Sequence, residues 1–123
     1  MTTLRSRLGL RGEELARARL EAEGMKFIRK NFFCAAGELD LILLDGREIV
    51  FVEVKTRTSD MAGAAEESIS VSKGKKLIAA ANSYLSAARA PDLVWRVDTV
   101  AITLHPDGQI ARFTHVKNAI VTG

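Results

Sequence analysis

Cysteine, histidine and long apolar runs are all scarce in this chain, and each shortage removes a class of protein. The single cysteine, Cys34, cannot close an internal disulfide, which fits a reducing cytoplasm. Two histidines and one cysteine are too few for a closed structural zinc site. No uncharged apolar run approaches the roughly 18 residues that a membrane helix needs. Residues 1–11 lack the apolar core of a secretory signal. We therefore expect a cytoplasmic protein with no membrane association.

The remaining composition is that of an ordinary globular protein with an uneven charge. The chain has 123 residues, 47% hydrophobic and 27% charged, which predicts one domain over 1–123. The net charge is +3, and residues 1–31 carry eight basic and four acidic side chains. This local surplus is a weak indication of a polyanionic partner. Arg5, Arg7 and Arg11 are either a frayed basic terminus or an arm that contacts DNA.

Hydrophobic periodicity predicts an α/β fold with the element order α-β-β-β-α-β-β. Apolar residues at three- and four-residue steps predict helices over 11–23 and 72–88. Apolar runs between turn signals predict strands over 26–32, 37–44, 48–56, 94–104 and 109–116, with a loop over 57–71. Because a helix separates the groups of strands, we expect a mixed sheet with helices packed on its faces.

The second and third strands form a predicted hairpin whose turn sets their register. Asp45-Gly46 is a dipeptide favoured in type I′ turns. If these two residues form the loop, Leu44 pairs with Arg47 and the hydrogen-bonded ladder follows from that pair. This register places Glu38 opposite Glu53.

Regular alternation then groups the charged residues of the hairpin on one face of the sheet. These residues are Glu38, Asp40, Glu53 and Lys55, with Asp40 one diagonal step from Glu53. The opposite face is apolar and is predicted to be core: Leu39, Leu41, Leu43, Val50, Val52 and Val54. Carboxylates at this spacing repel unless a cation lies between them, and oxygen ligands favour Mg²⁺ or Mn²⁺. The alternative is a solvated polar face of a half-buried strand.

The first helix adds a further carboxylate to this face. Glu13 shares its stripe with Ala16 and Leu20, so it is expected to face the sheet. Gly12 beside it permits a close approach of the helix backbone. The alternative for Glu13 is a surface acid paired with Arg17.

The second helix begins with lysines that its dipole disfavours. Lys73 lies four residues before Leu77, which places it on the inward stripe near the helix N-terminus. A bound anion such as phosphate explains a lysine there. A solvated side chain is the alternative for Lys73, and we interpret Lys75 and Lys76 as solvated.

These residues together resemble a known family. Gly37-Glu38-Leu39-Asp40 followed by Glu53-Val54-Lys55 resembles the PD-(D/E)XK nuclease signature. The wider pattern resembles the small bacterial YraN-type family, which is similar to archaeal Holliday-junction resolvases with a restriction-endonuclease-like core. The other matching residues span most of the chain: Gly9, Gly12, Glu13, Ala16, Gly24, Asn31, Arg57, Lys73, Tyr84, Leu85, Asp98, Asn118 and Ala119. Two positions depart from the pattern, since Leu39 replaces the usual isoleucine and Phe33 replaces a common arginine.

The resemblance implies a metal-dependent endonuclease acting on DNA, including branched or repair intermediates. It implies that Asp40, Glu53 and the Val54 carbonyl bind Mg²⁺ or Mn²⁺, with Glu13 as an additional helix carboxylate. It further implies that Lys55 positions or deprotonates the attacking water.

The resemblance also bears on how DNA is held and on assembly. Lys73, Arg57, Arg11 and Arg7 would hold the DNA backbone. A junction resolvase needs two sites related by a two-fold axis, so a homodimer is compatible, although the apolar pattern reserves no clear surface for it. The competing hypothesis is a non-catalytic nucleic-acid-binding or interaction module that keeps the nuclease fold.

Overall fold

The order of helices and strands in the computed structural model is the predicted one. The structure describes residues 4–60, 69–90 and 92–120, with side chains from residue 7 onward. The elements are α1 Leu4–Ala22, β1 Lys26–Cys34, β2 Gly37–Asp45, β3 Glu48–Thr58, α2 Val71–Ala87, β4 Trp95–Leu104 and β5 Ile110–Val116. Neither described helix is long and apolar enough to cross a membrane.

Two of the differences from the predicted boundaries have tertiary reasons. Helix α1 begins at Leu4, seven residues before its predicted start, because Leu8 packs against the core and extends the buried stripe. Strand β3 runs to Thr58 and pairs with β4 over its whole final segment, which shortens the predicted loop. Most of that loop, 61–68, lies outside the described residues.

The five strands form one mixed sheet in the order β1-β2-β3-β4-β5. Strands β3 and β4 are parallel, and the other neighbouring pairs are antiparallel. Helix α2 connects the parallel pair, as the length of such a crossover requires. The predicted mixed sheet flanked by helices is confirmed, and it is compatible with a restriction-endonuclease-like core.

The two helices cover opposite faces of the sheet, so the central strands are buried on both sides. The cluster beneath α1 contains Ala16 and Leu20 together with Leu41, Leu43, Val50 and Val52. The cluster beneath α2 contains Leu77, Ala81 and Leu85 together with Ile42, Ile49 and Phe51. Double coverage explains the unbroken apolar run at 49–52, because every side chain there enters a core.

The hairpin register differs from the prediction. The turn consists of Gly46, whose φ is +64°, and Arg47, and the closing pair is Asp45 and Glu48. The predicted loop was therefore one residue too early. The buried guanidinium of Arg96 explains the observed closure, because it binds Glu48 Oε1 at 2.6 Å and Asp45 Oδ2 at 3.0 Å.

The corrected register changes which acidic residues are neighbours. The last β2–β3 pair is Leu41 with Val52, so the next positions along the two strands are Asp40 and Glu53. Asp40, rather than Glu38, thus comes level with Glu53. The prediction that Glu38 lies opposite Glu53 is wrong by two positions.

The side-chain alternation of β2 also reverses between Leu39 and Leu41, opposite Asn31 of β1. Leu39 and its partner Phe32 pack in the α2 cluster, whereas Leu41 packs in the α1 cluster. Residues two apart in a regular strand share a face, so the predicted common face for Leu39 and Leu41 is wrong. The reversal coincides with a left-handed residue in β1: Asn31 has φ +52° and lies between the pairs that Lys30 and Phe32 make.

Strands β2 and β3 separate beyond Leu41 and Val52, which creates a fork in the sheet. On one side of this strand fork, residues 37–40 of β2 continue to pair with β1 as far as Cys34. On the other side, residues 53–58 of β3 continue to pair with β4 as far as Leu104. The strand fork leaves space between β2 and β3, each of which is still hydrogen-bonded to its outer neighbour. The acidic residues lie around this space.

Helix α1 approaches β3 closely at one glycine. A Cβ atom added at Gly12 would overlap Thr56 Oγ1 and would lie 2.9 Å from Thr56 Cβ, as expected for a predicted close approach. Gly9 in the same helix has no neighbour within 4 Å of an added Cβ among the described atoms. Gly9 and Gly12 therefore form a matched pair for substitution by alanine, one in open space and one in close contact.

We expect Gly12→Ala to destabilise the protein by about 1–3 kcal/mol, because the new methyl group forces α1 away from β3. Gly9→Ala should stabilise it by up to about 1 kcal/mol, through helix propensity alone. Urea denaturation followed by circular dichroism measures both. Equal stability of the two variants would contradict the close contact.

A buried network around Arg96 links the hairpin turn to β4 and β5. Arg96 Nε donates to Asp98 Oδ1 at 3.0 Å, in addition to the bonds from Arg96 to Asp45 and Glu48. Asp98 is fully buried and also contacts His115 Nε2 at 2.8 Å. Burial would raise the pKa of Asp98, but the hydrogen bonds from His115, Arg96 and the Asn118 backbone outweigh it and lower that pKa.

Arg96→Met should cost about 3–5 kcal/mol of unfolding free energy, because it removes a buried partner of the ionised Asp98. Arg47→Met, at an exposed position of the same turn, should change stability by no more than about 0.5 kcal/mol. Chemical denaturation at pH 7 compares the two. A loss below 1 kcal/mol for Arg96→Met would show that the network does not anchor the turn.

Candidate metal centre

Three carboxylates from two elements converge beside the strand fork. Glu13 of α1 and Glu38 and Asp40 of β2 each offer one oxygen, and these three oxygens lie within 4.8 Å of one another. All three residues are half-buried. We call this group the carboxylate cluster. Such a convergent set of oxygen donors can hold a metal ion.

The reversal near Asn31 explains why Glu38 joins the carboxylate cluster. With Leu39 turned toward α2, the neighbouring Glu38 is turned toward α1, where Glu13 lies. Regular alternation had placed Glu38 on the face of Glu53 and Lys55, and that prediction is not what the structure shows. The change of faces beside Asn31 thus alters the set of neighbouring acids.

Asp40 is held at the fork by the backbone of β3. Asp40 Oδ2 accepts a hydrogen bond of 2.8 Å from the Val54 backbone N–H, beyond the end of the β2–β3 ladder. Burial, followed by the negative charge of Glu53, raises the pKa of Asp40 to about 7, although the Val54 hydrogen bond opposes this rise. Asp40 is therefore divided between its two protonation states at neutral pH, and a bound cation would favour the ionised form.

Glu13 experiences the same two effects. Burial and the charge of Glu38 raise the pKa of Glu13, while Lys30 and the hydrogen bond from Asn31 lower it by a smaller amount. The carboxylate cluster is thus a site where negative charge is concentrated at an energetic cost. Perturbed carboxylates in such a group are typical of functional sites.

Glu53 lies beside the carboxylate cluster and has a lysine partner. Its side chain is only 11% exposed, and Glu53 Oε1 is 3.4 Å from Lys73 Nζ. Burial raises the pKa of Glu53, and the charges of Lys73 and Lys55 oppose that rise without cancelling it. Glu53 interacts electrostatically with both Asp40 and Glu13, so its charge belongs to the same site.

Lys73 lies on the first turn of α2, with its ammonium group directed at the site. Ser70 caps this helix, and its Oγ accepts a hydrogen bond from the Lys73 backbone N–H at 3.1 Å. The partner of the Lys73 side chain is Glu53, a carboxylate, whereas the sequence suggested a phosphate. An attractive acid partner offsets the unfavourable helix dipole.

The remaining predicted residues lie at different distances from the carboxylate cluster. Val54 contributes its backbone N–H, and the ligand role of its carbonyl stays a prediction. Arg57 is half-buried on β3, level with Thr103 of β4. Arg7 and Arg11 are exposed on α1, and Arg11 makes a loose ion pair of 3.8 Å with Glu14. Their contact with DNA stays a prediction.

One contributor to the site, Asn31, had no role in the sequence-based hypothesis. With its amide oriented to satisfy its neighbours, the Asn31 nitrogen donates to Glu38 Oε1 at 3.1 Å and to Glu13 Oε1 at 3.2 Å. The signal was present, because asparagine is disfavoured inside strands and Asn31 lies within a predicted one.

The structure therefore defines a class: an α/β protein with a five-stranded mixed sheet and an acidic centre at a strand fork. The chain belongs to the Uncharacterised protein family UPF0102, whose sequence model matches residues 12–102. That range contains the carboxylate cluster, Glu53 and Lys73. The match confirms the YraN-type family assignment.

Relatives from distant bacteria match along nearly the whole chain. A UPF0102 protein of Pelotomaculum thermopropionicum is 38% identical over 119 residues, which cover 97% of this chain and 99% of the relative. A UPF0102 protein of Geobacter metallireducens is 39% identical over 112 residues, covering 91% and 90%. One from Chloroflexus aurantiacus is 41% identical over 121 residues, covering 98% of each chain.

Because the pKa of Asp40 is raised, the stability of the metal-free protein should change with pH in a definite direction. The folded protein loses the Asp40 proton only around pH 7, because the pKa of Asp40 is about 7 there, whereas the unfolded chain loses it near 3.8. Stability should therefore fall as pH rises from about 4 to 7, by about 2–4 kcal/mol from this group. Asp40→Asn should remove that loss and be the more stable protein at pH 8 in EDTA.

Urea denaturation in EDTA between pH 4 and 8 measures this effect. Asp92→Asn, an exposed substitution away from the carboxylate cluster, serves as the control and should follow the wild-type curve. Parallel pH profiles for wild type and Asp40→Asn would contradict the perturbed carboxyl group.

Proposed function

We propose that this protein is a metal-dependent endonuclease that hydrolyses phosphodiester bonds of DNA. The observation that carries the proposal is the convergence of Glu13, Glu38 and Asp40 beside the strand fork, within one 4.8 Å group. The adjoining Glu53 and Lys73 add a further acid and a cation to the same site. Carboxylates that surround a divalent cation, next to lysines that attract phosphate, are the components that phosphodiester hydrolysis requires.

The donor set favours Mg²⁺ or Mn²⁺ as the cation. The carboxylate cluster supplies only hard oxygen donors, which suit these ions better than zinc. Asp40, Glu53 and Glu13 would hold the cation with the Val54 carbonyl, and the geometry adds Glu38 to these candidates. Glu53 Oε1 is paired with Lys73, so Glu53 would ligate through its other oxygen unless Lys73 moves to the phosphate.

Two lysine side chains would act directly on the attacking water and on the phosphate. Lys55, whose charge acts on Glu53, would position the attacking water and accept or share its proton. Lys73, released from Glu53, would contact the phosphate oxygens and stabilise their growing charge. A bound divalent cation would supply further electrostatic stabilisation of the phosphate. The water oxygen bonds to phosphorus, the P–O3′ bond breaks, and the released 3′-oxygen takes a proton from solvent water. The products are a 3′-hydroxyl end and a 5′-phosphate end.

Basic residues outside the carboxylate cluster would hold the flanking DNA backbone. Arg7 and Arg11 are exposed on α1, the helix that supplies Glu13, and Arg57 lies on β3 beyond Lys55. Contacts to phosphates position a nucleic acid without reading its sequence. We therefore propose selection by DNA structure, with branched or repair intermediates as substrates, in the cytoplasm. A homodimer would supply two sites to a junction.

The test is cleavage of labelled duplex, single-stranded and four-way-junction DNA in the presence of Mg²⁺, Mn²⁺ or EDTA. Cleavage should require a divalent cation and should fall at least about a hundredfold in Glu53→Ala and Lys55→Ala. Glu14→Ala changes an exposed acid on α1 beside Glu13 and should retain wild-type rates.

Either of two results would overturn the proposal that this protein is an endonuclease. Wild-type protein that cuts none of the substrates but binds them in a salt-sensitive way would be a non-catalytic nucleic-acid-binding module. Cleavage that persists unchanged in Glu53→Ala and Lys55→Ala would place the chemistry elsewhere.

A further inference from the structure

Asn31 occupies an unusual position in both the backbone and the site. It is one of three non-glycine residues with positive φ among the described residues, at +52°. Asparagine tolerates this left-handed conformation better than most residues. This conformation lies within β1 between Lys30 and Phe32, which keep one register with Leu41 and Leu39. It marks the point at which the side chains of β2 change faces, since Leu41 packs beneath α1 and Leu39 beneath α2.

The side chain of Asn31 joins two members of the carboxylate cluster. Its amide nitrogen donates to Glu38 Oε1 at 3.1 Å and to Glu13 Oε1 at 3.2 Å. Glu13 and Glu38 belong to different elements, α1 and β2, and their like charges would otherwise drive them apart. One amide group uses both of its N–H donors to hold the two together.

The neutrality of the amide matters as much as its position. Lys73 neutralises the charge of Glu53, and a lysine at position 31 would do the same to Glu13 and Glu38. An amide holds the carboxylates in place without adding positive charge, so it leaves their negative charge available to a cation. Each carboxylate has two oxygens, so one can accept from Asn31 while the other is free to ligate.

From these observations we infer that Asn31 is the positioning residue of the metal centre: its amide holds Glu13 and Glu38 together so that the carboxylate cluster is pre-formed before a cation binds. The inference rests on the metal site of the proposed function. Residues that orient metal ligands typically change metal affinity ten- to a hundredfold when they are lost.

The experiment measures Mn²⁺ binding to the full chain by isothermal titration calorimetry. Asn31→Gly keeps a backbone that favours positive φ and removes only the amide side chain. Its Mn²⁺ affinity should fall ten- to a hundredfold. Asn118→Gly is the matched control, because Asn118 has φ +51° and its bond to Asp98 uses the backbone N–H. Its affinity should stay within twofold of wild type.

A second variant gives a readout that a purely structural role would not produce. Asn31→Asp keeps the size and the backbone preference of asparagine but replaces the donors with another negative charge. Its melting temperature in EDTA should lie below those of wild type and Asn31→Gly, because a third negative charge then adds to the repulsion between Glu13 and Glu38. A role confined to the backbone would leave Asn31→Asp close to wild type, and that result would count against the inference.

The outcomes separate the inference from the proposed function. Asn31→Gly that binds Mn²⁺ as tightly as wild type overturns the inference alone. Reduced binding by Asn31→Gly, in a protein whose wild type binds Mn²⁺ but cleaves no DNA, supports the inference and overturns the nuclease. Wild-type protein that binds no Mn²⁺ at millimolar concentration overturns both.

Discussion

The separation of β2 and β3 beyond Leu41 and Val52 is the constraint on which the rest of the site depends. A continuous ladder would have used the backbone groups of residues 37–40 and 53–58 for pairing with each other. Each strand is instead secured by its outer neighbour, β1 or β4. The Val54 N–H is therefore available to Asp40, and that 2.8 Å bond fixes a carboxylate at the centre of the strand fork.

Concentrating acids at such a point costs free energy, and the molecule offsets that cost in two chemically different ways. On the α2 side, Lys73 neutralises Glu53 with a charge. On the α1 side, Asn31 holds Glu13 and Glu38 with a neutral amide. Burial still raises the pKa of Asp40 to about 7, so the compensation is incomplete. The residual repulsion would favour a cation bound at this place.

The register that places Asp40 beside Glu53 is determined at the opposite end of the hairpin. Arg96 lies 51 positions from Asp45 in the chain and 48 from Glu48, yet its guanidinium binds both carboxylates at the turn. Asp98 and the hydrogen bonds around it hold Arg96 in place. A network at the hairpin turn thus decides which acids become neighbours at the far end of the same two strands, because pairing at the turn sets the register along the ladder.

Local pattern determined much of this protein. The periodicity of apolar residues is a property of each segment, so the sequence predicted the order of seven elements, the mixed sheet and the placement of Glu13, Asp40 and Glu53 near one another. The tertiary structure alone decided the hairpin register, the reversal of faces at Asn31 and the carboxylate partner of Lys73. These depend on contacts between residues far apart in the chain, such as Arg96 with Asp45, and on one left-handed residue, and neither leaves a periodic signal in the sequence.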